Sequence, residues 1–202
     1  MARIIALDTT SALGSIALIE DGDLIEEIVM HSPDGFSPVL FGKLEELLTR
    51  HQTPLQSIDC FAGAVGPGSF TGVRVCLTAI KGLAESCNKP VIGVSNLAAV
   101  ASFGSAPIRA PWLDARRGEI YGGVYSEELK LLSEERVLPM DQWKSDLPAH
   151  AEVIPGDGKP LAAAIGRIAH GLFLNGNRMD PAALDANYVR RSDAELFWTE
   201  VV

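Results

Sequence analysis

Three short apolar runs follow one another before any helical pattern begins, and this order constrains the fold more than any other feature. Arg3 to Leu7, Gly14 to Ile19 and Leu24 to Met30 each have the length and aliphatic content of a buried strand. Asp21-Gly22, between the second and third runs, is a two-residue hairpin signal, since both residue types tolerate positive φ. Beyond Met30 the pattern alternates. Ser37-Pro38 offers an N-cap and a first-turn proline, and Leu40, Leu44, Leu47 and Leu48, with Phe41 beside them, recur at helical spacing. Ile58 to Val65 reads as a strand. From Val73 onward, Leu77, Ile80, Leu83 and Ala84 fit a second helix. Val91 to Val94 is a short strand, and Ser95 is placed to cap a small helix through Ala101. Sequential strands followed by helix-alternating strands predict a mixed sheet with parallel crossovers, an α/β layer fold.

The second half is less regular. Ile108 to Leu113 and Ile120 to Tyr125 read as strands around Asp114-Ala115-Arg116-Arg117-Gly118, Leu131 to Val137 as a third, and Pro160 to His170 as a helix. Gly, Ser and Pro between Phe103 and Pro107 break the pattern, so we expect an N-terminal lobe over 1–103 and a smaller lobe over 104–202. No internal repeat is visible.

Composition narrows the function classes. With 47% hydrophobic residues the 202-residue chain can build a core, and 17 basic against 26 acidic side chains give a net charge of −9. That balance argues against this chain alone gripping nucleic acid, which needs clustered Lys and Arg, but not against a subunit whose partners hold it. Cys60, Cys76 and Cys87 form no CxxC pair and sit in apolar context, as core thiols of a reducing compartment do. The run Ile4 to Leu7 is too short for a signal peptide, and no apolar run approaches the roughly 20 residues of a membrane helix. The expectation is a soluble cytoplasmic protein without membrane partners.

Two stretches stand out chemically. Asp8-Thr9-Thr10 closes the first strand; a carboxylate with hydroxyls there faces a phosphate or its metal, or simply serves a turn. Gly66-Pro67-Gly68-Ser69-Phe70-Thr71-Gly72 joins an apolar strand to an amphipathic helix. It either lets backbone approach an anion or makes a tight turn needing left-handed glycine. It is not a Walker loop, because the Gly-Lys-Ser/Thr is missing. His31, His51, His150 and His170 are far apart, with no HxxxH or HExxH pair, and there is no GxSxG elbow. Asp114, Arg116, Arg117 and Glu119, and Arg190-Arg191-Ser192-Asp193, read as salt-bridged surface turns or as sites for an acidic group.

Taken together these residues resemble the TsaB family, partner subunits in bacterial formation of N6-threonylcarbamoyladenosine in tRNA. The resemblance runs through Ile5-Ala6-Leu7-Asp8-Thr9-Thr10, Gly66 to Arg74, Lys81-Gly82-Leu83-Ala84, Pro90 to Ser95, Asp114 to Tyr121 and Tyr188-Val189-Arg190-Arg191. It is dense to about residue 125 and thin from 126 to 187. One departure is the segment Pro33-Asp34-Gly35-Phe36 after His31-Ser32, where family members carry a His-Ser-Glu-like helix entry.

The resemblance implies a two-lobed ASKHA fold, the actin-like ATPase and RNase H-like architecture. It also implies kinship with TsaD, whose HxxxH metal site follows a strand end like Gly93-Val94; here Asn96 and Val100 occupy the two histidine places. Neither suits a metal, so the implied role is a non-catalytic scaffold with no metal site and no cofactor of its own. Such a scaffold pairs with TsaD and, with the ATPase TsaE, serves threonylcarbamoyl transfer to adenosine 37 of tRNA. ATP is used by the complex, and tRNA is met only through it. The ligand or nucleotide loop would comprise Asp8, Thr9, Thr10, Gly66, Gly68, Ser69, Thr71, Gly72 and Arg74. The partner surface would comprise Leu40, Phe41, Leu44, Leu48, Val73, Leu77 and Ile80, used for a homodimer when TsaD is absent. The alternative is an ASKHA-type ATPase or kinase using Asp8 and the Gly66–Gly72 loop, for which the second lobe offers only Gly156-Asp157-Gly158 as a second phosphate loop.

Overall fold

The computed structural model of the chain describes residues 1–190. Residues 191–202, including Arg191, Ser192 and Asp193 of the C-terminal charged motif, lie outside the described residues. The chain begins with β1 (Arg3–Asp8), β2 (Leu13–Glu20) and β3 (Asp23–His31), an antiparallel meander whose second turn holds Asp21 at φ 50° and Gly22 at φ 91°. Helix α1 (Leu40–Arg50) leads to β4 (Cys60–Ala64), α2 (Phe70–Cys87), β5 (Val91–Val94) and α3 (Asn96–Ala101). The first sheet has the order β3-β2-β1-β4-β5, with β4 and β5 parallel to β1. β1 and β4 are buried on both faces, which is why they read as unbroken apolar runs, while β3 is an edge strand with alternating exposure.

A second sheet is built from β6 (Ile108–Asp114), β7 (Glu119–Ser126), β8 (Leu131–Pro139) and β9 (Glu152–Pro155), in the order β8-β7-β6-β9. Three antiparallel strands followed by one parallel to the first repeat the plan of β1 to β4. The chain is thus duplicated in topology, although no repeat is legible in sequence. α4 (Met140–Ser145) takes the place of α1 between the third and fourth strands.

Two sequence expectations need correction. Ser37-Pro38 does not open α1: the helix starts at Leu40 behind Val39, with no side-chain cap, after a turn in which Val39 and Leu40 N–H donate to the Phe36 carbonyl. The Pro33–Phe36 departure accounts for this, since Phe36 folds back onto Gly14 and fixes the entry. Nor does packing follow a boundary near residue 103. α5 (Ala162–Leu174) returns to the first sheet and packs on β1, β2, β4 and β5, and Met179 forms a bridge with Val91. Leu7 and Gly63 face α2, whereas Ala6 and Ile19 meet α5, so the two helices cover opposite faces of the sheet. The C-terminal segment therefore belongs to the first lobe, and the second is essentially 108–155.

The core decides which helical residues can meet a partner. Leu40, Leu44, Val73, Leu77 and Ile80 are all buried within the chain, Leu77 with 8% and Ile80 with none of its surface exposed. They pack on the sheet as helices of an α/β layer do. Of the seven residues expected at the partner surface, Phe41, 56% exposed, and the half-buried Leu48 remain outside. Phe41, Leu48, Val75 and Leu83, with Thr78 and Gly82, form the outer apolar face of the α1–α2 pair. That face carries two shallow cavities of about 560 and 520 Å³, with Leu40 and Leu44 at their floors.

Candidate functional site

The first strand ends at Asp8, and its turn is tied to the start of α2. Asp8 Oδ1 accepts hydrogen bonds from the Thr10 backbone N–H at 2.8 Å and from Thr10 Oγ1 at 2.6 Å. Thr9 Oγ1 donates to the Gly72 carbonyl at 2.7 Å, and Ser69 N–H donates to the Thr10 carbonyl at 2.7 Å. Ser69 caps α2 by accepting from Gly72 N–H at 3.2 Å. Asn96, at the start of α3, completes the knot: its backbone N–H donates to the Gly66 carbonyl at 2.8 Å and its Oδ1 accepts from Gly66 N–H at 3.1 Å. Its Nδ2 donates to Thr10 Oγ1.

The structure thus brings Asp8, Thr9, Thr10, Gly66, Gly68, Ser69 and Gly72 together, but their polar groups face one another. Thr71 and Arg74 lie on the exposed side of α2 instead. Gly66 has φ 101°, the left-handed geometry expected of the loop. Gly68 and Gly72 are needed for a different reason, close approach. A Cβ at Gly72 would lie 2.1 Å from the Thr9 carbonyl oxygen, and one at Gly68 would lie 2.8 Å from that of Thr10.

Asp8 has no surface exposed, and its Oδ2 has no hydrogen-bond partner among the described residues. Burial pushes its carboxyl up to about 6; the two Thr10 bonds oppose this, and the charge of Glu27 adds to it. An unfolded aspartate titrates near 3.8, so folding favours the protonated form. The stability this confers is full below the lower value and is lost as pH rises through the upper one. Asp8→Asn removes the charge at the same shape. In urea unfolding we expect the variant to gain about 2 kcal/mol relative to wild type between pH 4.5 and pH 7.5. An unchanged difference between the two pH values would show that Asp8 is ionised at no cost.

An interlobe cleft of about 460 Å³ lies beside this knot, lined among others by Thr10, Pro67, Asp114, Asp157 and Lys159. Asp114 ends β6 as Asp8 ends β1, and Gly156-Asp157-Gly158 follows β9 as the Gly66 loop follows β4. Asp157 Oδ1 accepts from Asp114 N–H at 3.1 Å. Asp8, the carboxylate a metal–nucleotide would require, lies behind Thr10 and off the cleft wall. Asp8 therefore presents no carboxylate to the cleft.

Other groups are equally committed. Val100 is fully buried, and among the described residues no three His, Cys, Asp or Glu side chains converge as a metal set. Burial pushes the Cys60 thiol up to about 12 and raises that of Cys76 well above its ordinary value. Sequence reasoning missed Glu135 on β8. Its carboxylate accepts from Ser95, Tyr125 and Asn187, tying α3 and the C-terminal segment to the second sheet. Nothing in a lone Glu on a weakly patterned strand signals this latch.

The strand order, the duplicated plan and the loops at the strand ends define an ASKHA, RNase H-like protein. A family model described as TsaD: tRNA N6-adenosine threonylcarbamoyltransferase matches residues 36–157. The tRNA threonylcarbamoyladenosine biosynthesis protein TsaB of Bacillus subtilis (strain 168) is 34% identical over 138 residues, 67% of this chain and 59% of that protein. The protein of the same name from Escherichia coli (strain K12) is 34% identical over 131 residues, 62% of this chain and 56% of that protein. The matched segment thus spans between half and three-fifths of these curated relatives. A crystal structure from Pseudomonas aeruginosa, described as an uncharacterized protein with similarity to peptidase YEAZ, superposes with a TM-score of 0.83 at 26% identity, covering 94% of this chain and 100% of that one. The chain belongs to the TsaD family and, within it, to the TsaB group.

Proposed function

We propose that this chain is the non-catalytic partner subunit of a tRNA-modifying assembly, required for threonylcarbamoyl transfer to adenosine 37. In this role it pairs with a TsaD-type catalytic subunit, serves alongside a TsaE-type ATPase, and holds no nucleotide cofactor or metal of its own. It acts in the cytoplasm, where tRNA is modified. Among the described residues no helix is long and apolar enough to cross a membrane.

The observation that carries the proposal is the outer face of α1 and α2. Phe41 stands 56% exposed there, beside half-buried Leu48, Val75 and Leu83. A contiguous apolar face rimmed by polar residues fits a protein interface. Further support comes from the two positions where TsaD carries histidines. Asn96 hydrogen-bonds Gly66 and Thr10, and Val100 is packed in the core, so both serve the fold. The same face would hold a second copy of this chain when the catalytic subunit is absent, making the two assemblies exclusive.

Reconstitution tests this directly. A TsaD-type subunit, a TsaE-type ATPase, threonylcarbamoyl-adenylate and unmodified tRNA are combined with and without the chain. Modification should appear only when the chain is present and should copurify with a chain–TsaD complex. Full modification without it would refute the role.

A further inference from the structure

A second groove, about 510 Å³, adjoins the interlobe cleft and shares Pro67, Gly68, Ser69, Ala115, Arg116 and Tyr121 with it. Phe70, Tyr121, Tyr188, Arg116, Arg117 and Arg190 line it. The rings are ordered against one another and against guanidinium groups. Phe70 and Tyr188 lie 5.1 Å apart at 32°, Arg74 sits 3.9 Å over the Phe70 centroid, and Arg190 sits 5.7 Å over that of Tyr121. Phe70 is 38% and Tyr188 47% exposed, so ring surface remains open. Four of the chain's 17 basic side chains gather here, although its net charge is −9. Arg190 is fixed by the Ala115 carbonyl at 2.7 Å and by Glu119, and Arg116 is held on the β6–β7 turn at φ 65°.

From this juxtaposition we infer that the groove binds an unpaired nucleotide unit of RNA, its base on the Phe70–Tyr188 rings and its phosphates on the arginines. The inference rests on the reading of the chain as part of a tRNA-modifying assembly and names a contact that reading leaves open. Guanidinium forks match phosphate oxygens, and open ring faces match bases. A free mononucleotide shares this chemistry, but it needs a pocket that encloses it, whereas these rings are half open. The groove also adjoins the α1–α2 face, since Arg74 lines both the Phe70 ring and the cavity between those helices. RNA held here would lie along the edge of the proposed partner interface.

The test is fluorescence anisotropy of labelled octaadenylate on the full chain at low salt, with AMP as competitor. Octaadenylate should bind, and AMP should compete at least 100-fold more weakly per mole. Replacing Phe70 and Tyr188 together by alanine should weaken binding about tenfold or more. Arg116→Gly, which suits the backbone at φ 65°, should lower the slope of log affinity against log salt by about 0.7. Circular dichroism checks the fold; if the ring variant unfolds, Arg116→Gly carries the test alone. Undetectable binding, binding indifferent to the folded variants, or AMP binding as well as the oligomer would each overturn the inference. If reconstituted modification requires the chain while its groove ignores RNA, this inference fails and the proposed function stands.

Discussion

Gly72→Val should destabilise the chain by about 3–5 kcal/mol, a large share of the roughly 5–15 kcal/mol that holds a domain folded. A Cβ there would lie 2.1 Å from the Thr9 carbonyl oxygen and 3.0 Å from Thr10 Cα. Both obstacles are backbone atoms, so no side chain can rotate away, and the turn after β1 or the start of α2 must shift. Overpacking of this kind costs about 1–3 kcal/mol. The shift also breaks the 2.7 Å bond from Thr9 Oγ1 to the Gly72 carbonyl, and a buried partner left unmade costs about 1–3 kcal/mol more. Gly82 supplies the contrast on the same helix. A Cβ at Gly82 meets nothing within 4 Å, so Gly82→Ala should stabilise the free chain by up to about 1 kcal/mol. Urea unfolding of both variants checks the pair. A loss under 1 kcal/mol at Gly72 would mean that the two loops are not locked together.

Phe41→Asp should separate association from folding. Phe41 is 56% exposed, so the free chain should keep its stability to within about 0.5 kcal/mol. In a complex that covers the α1–α2 face, the variant loses the burial of a large ring, about 1.5–3 kcal/mol, and places a carboxylate in an apolar contact. Affinity for a TsaD-type partner, and for a second copy of the chain, should fall at least 100-fold. Leu77→Asp behaves differently. With 8% of its surface exposed, Leu77 belongs to the core, and a charge there should unfold the monomer. Sedimentation and circular dichroism of the two variants distinguish these outcomes. A folded Phe41→Asp chain that still pairs at full strength would remove this face from the interface.

The distinction between Phe41 and Leu77 marks where sequence reading runs out. Periodicity identifies both helices, because apolar residues recur at helical spacing on each. It does not say which side of a wide apolar stripe meets the sheet, and the sheet takes Leu40, Leu44, Val73, Leu77 and Ile80. The first sheet is legible because its central strands are unbroken apolar runs and Asp21-Gly22 turns the hairpin. The second sheet is only partly so. Glu152–Pro155 and Met140–Ser145 are short elements among prolines; the first is placed by pairing with the distant β6, the second by packing on β7 and β8. The return of α5 to the first sheet is a tertiary choice that no local pattern records. At the candidate site, the motif residues other than Thr71 and Arg74 are found together, yet the spacing of the glycine loop alone left a ligand loop and a structural turn equally open. The hydrogen bonds of Thr9, Thr10, Ser69 and Asn96 favour the second, with Asp8 sealed beneath them.

Hydrogen exchange of the full chain, alone and with a TsaD-type subunit, tests the partner role most directly. Adding the catalytic subunit should slow exchange over residues 37–51 and 71–86, which carry the outer face of α1 and α2, and leave the second sheet unchanged. Protection confined to 108–155, or none at all despite binding, would contradict it.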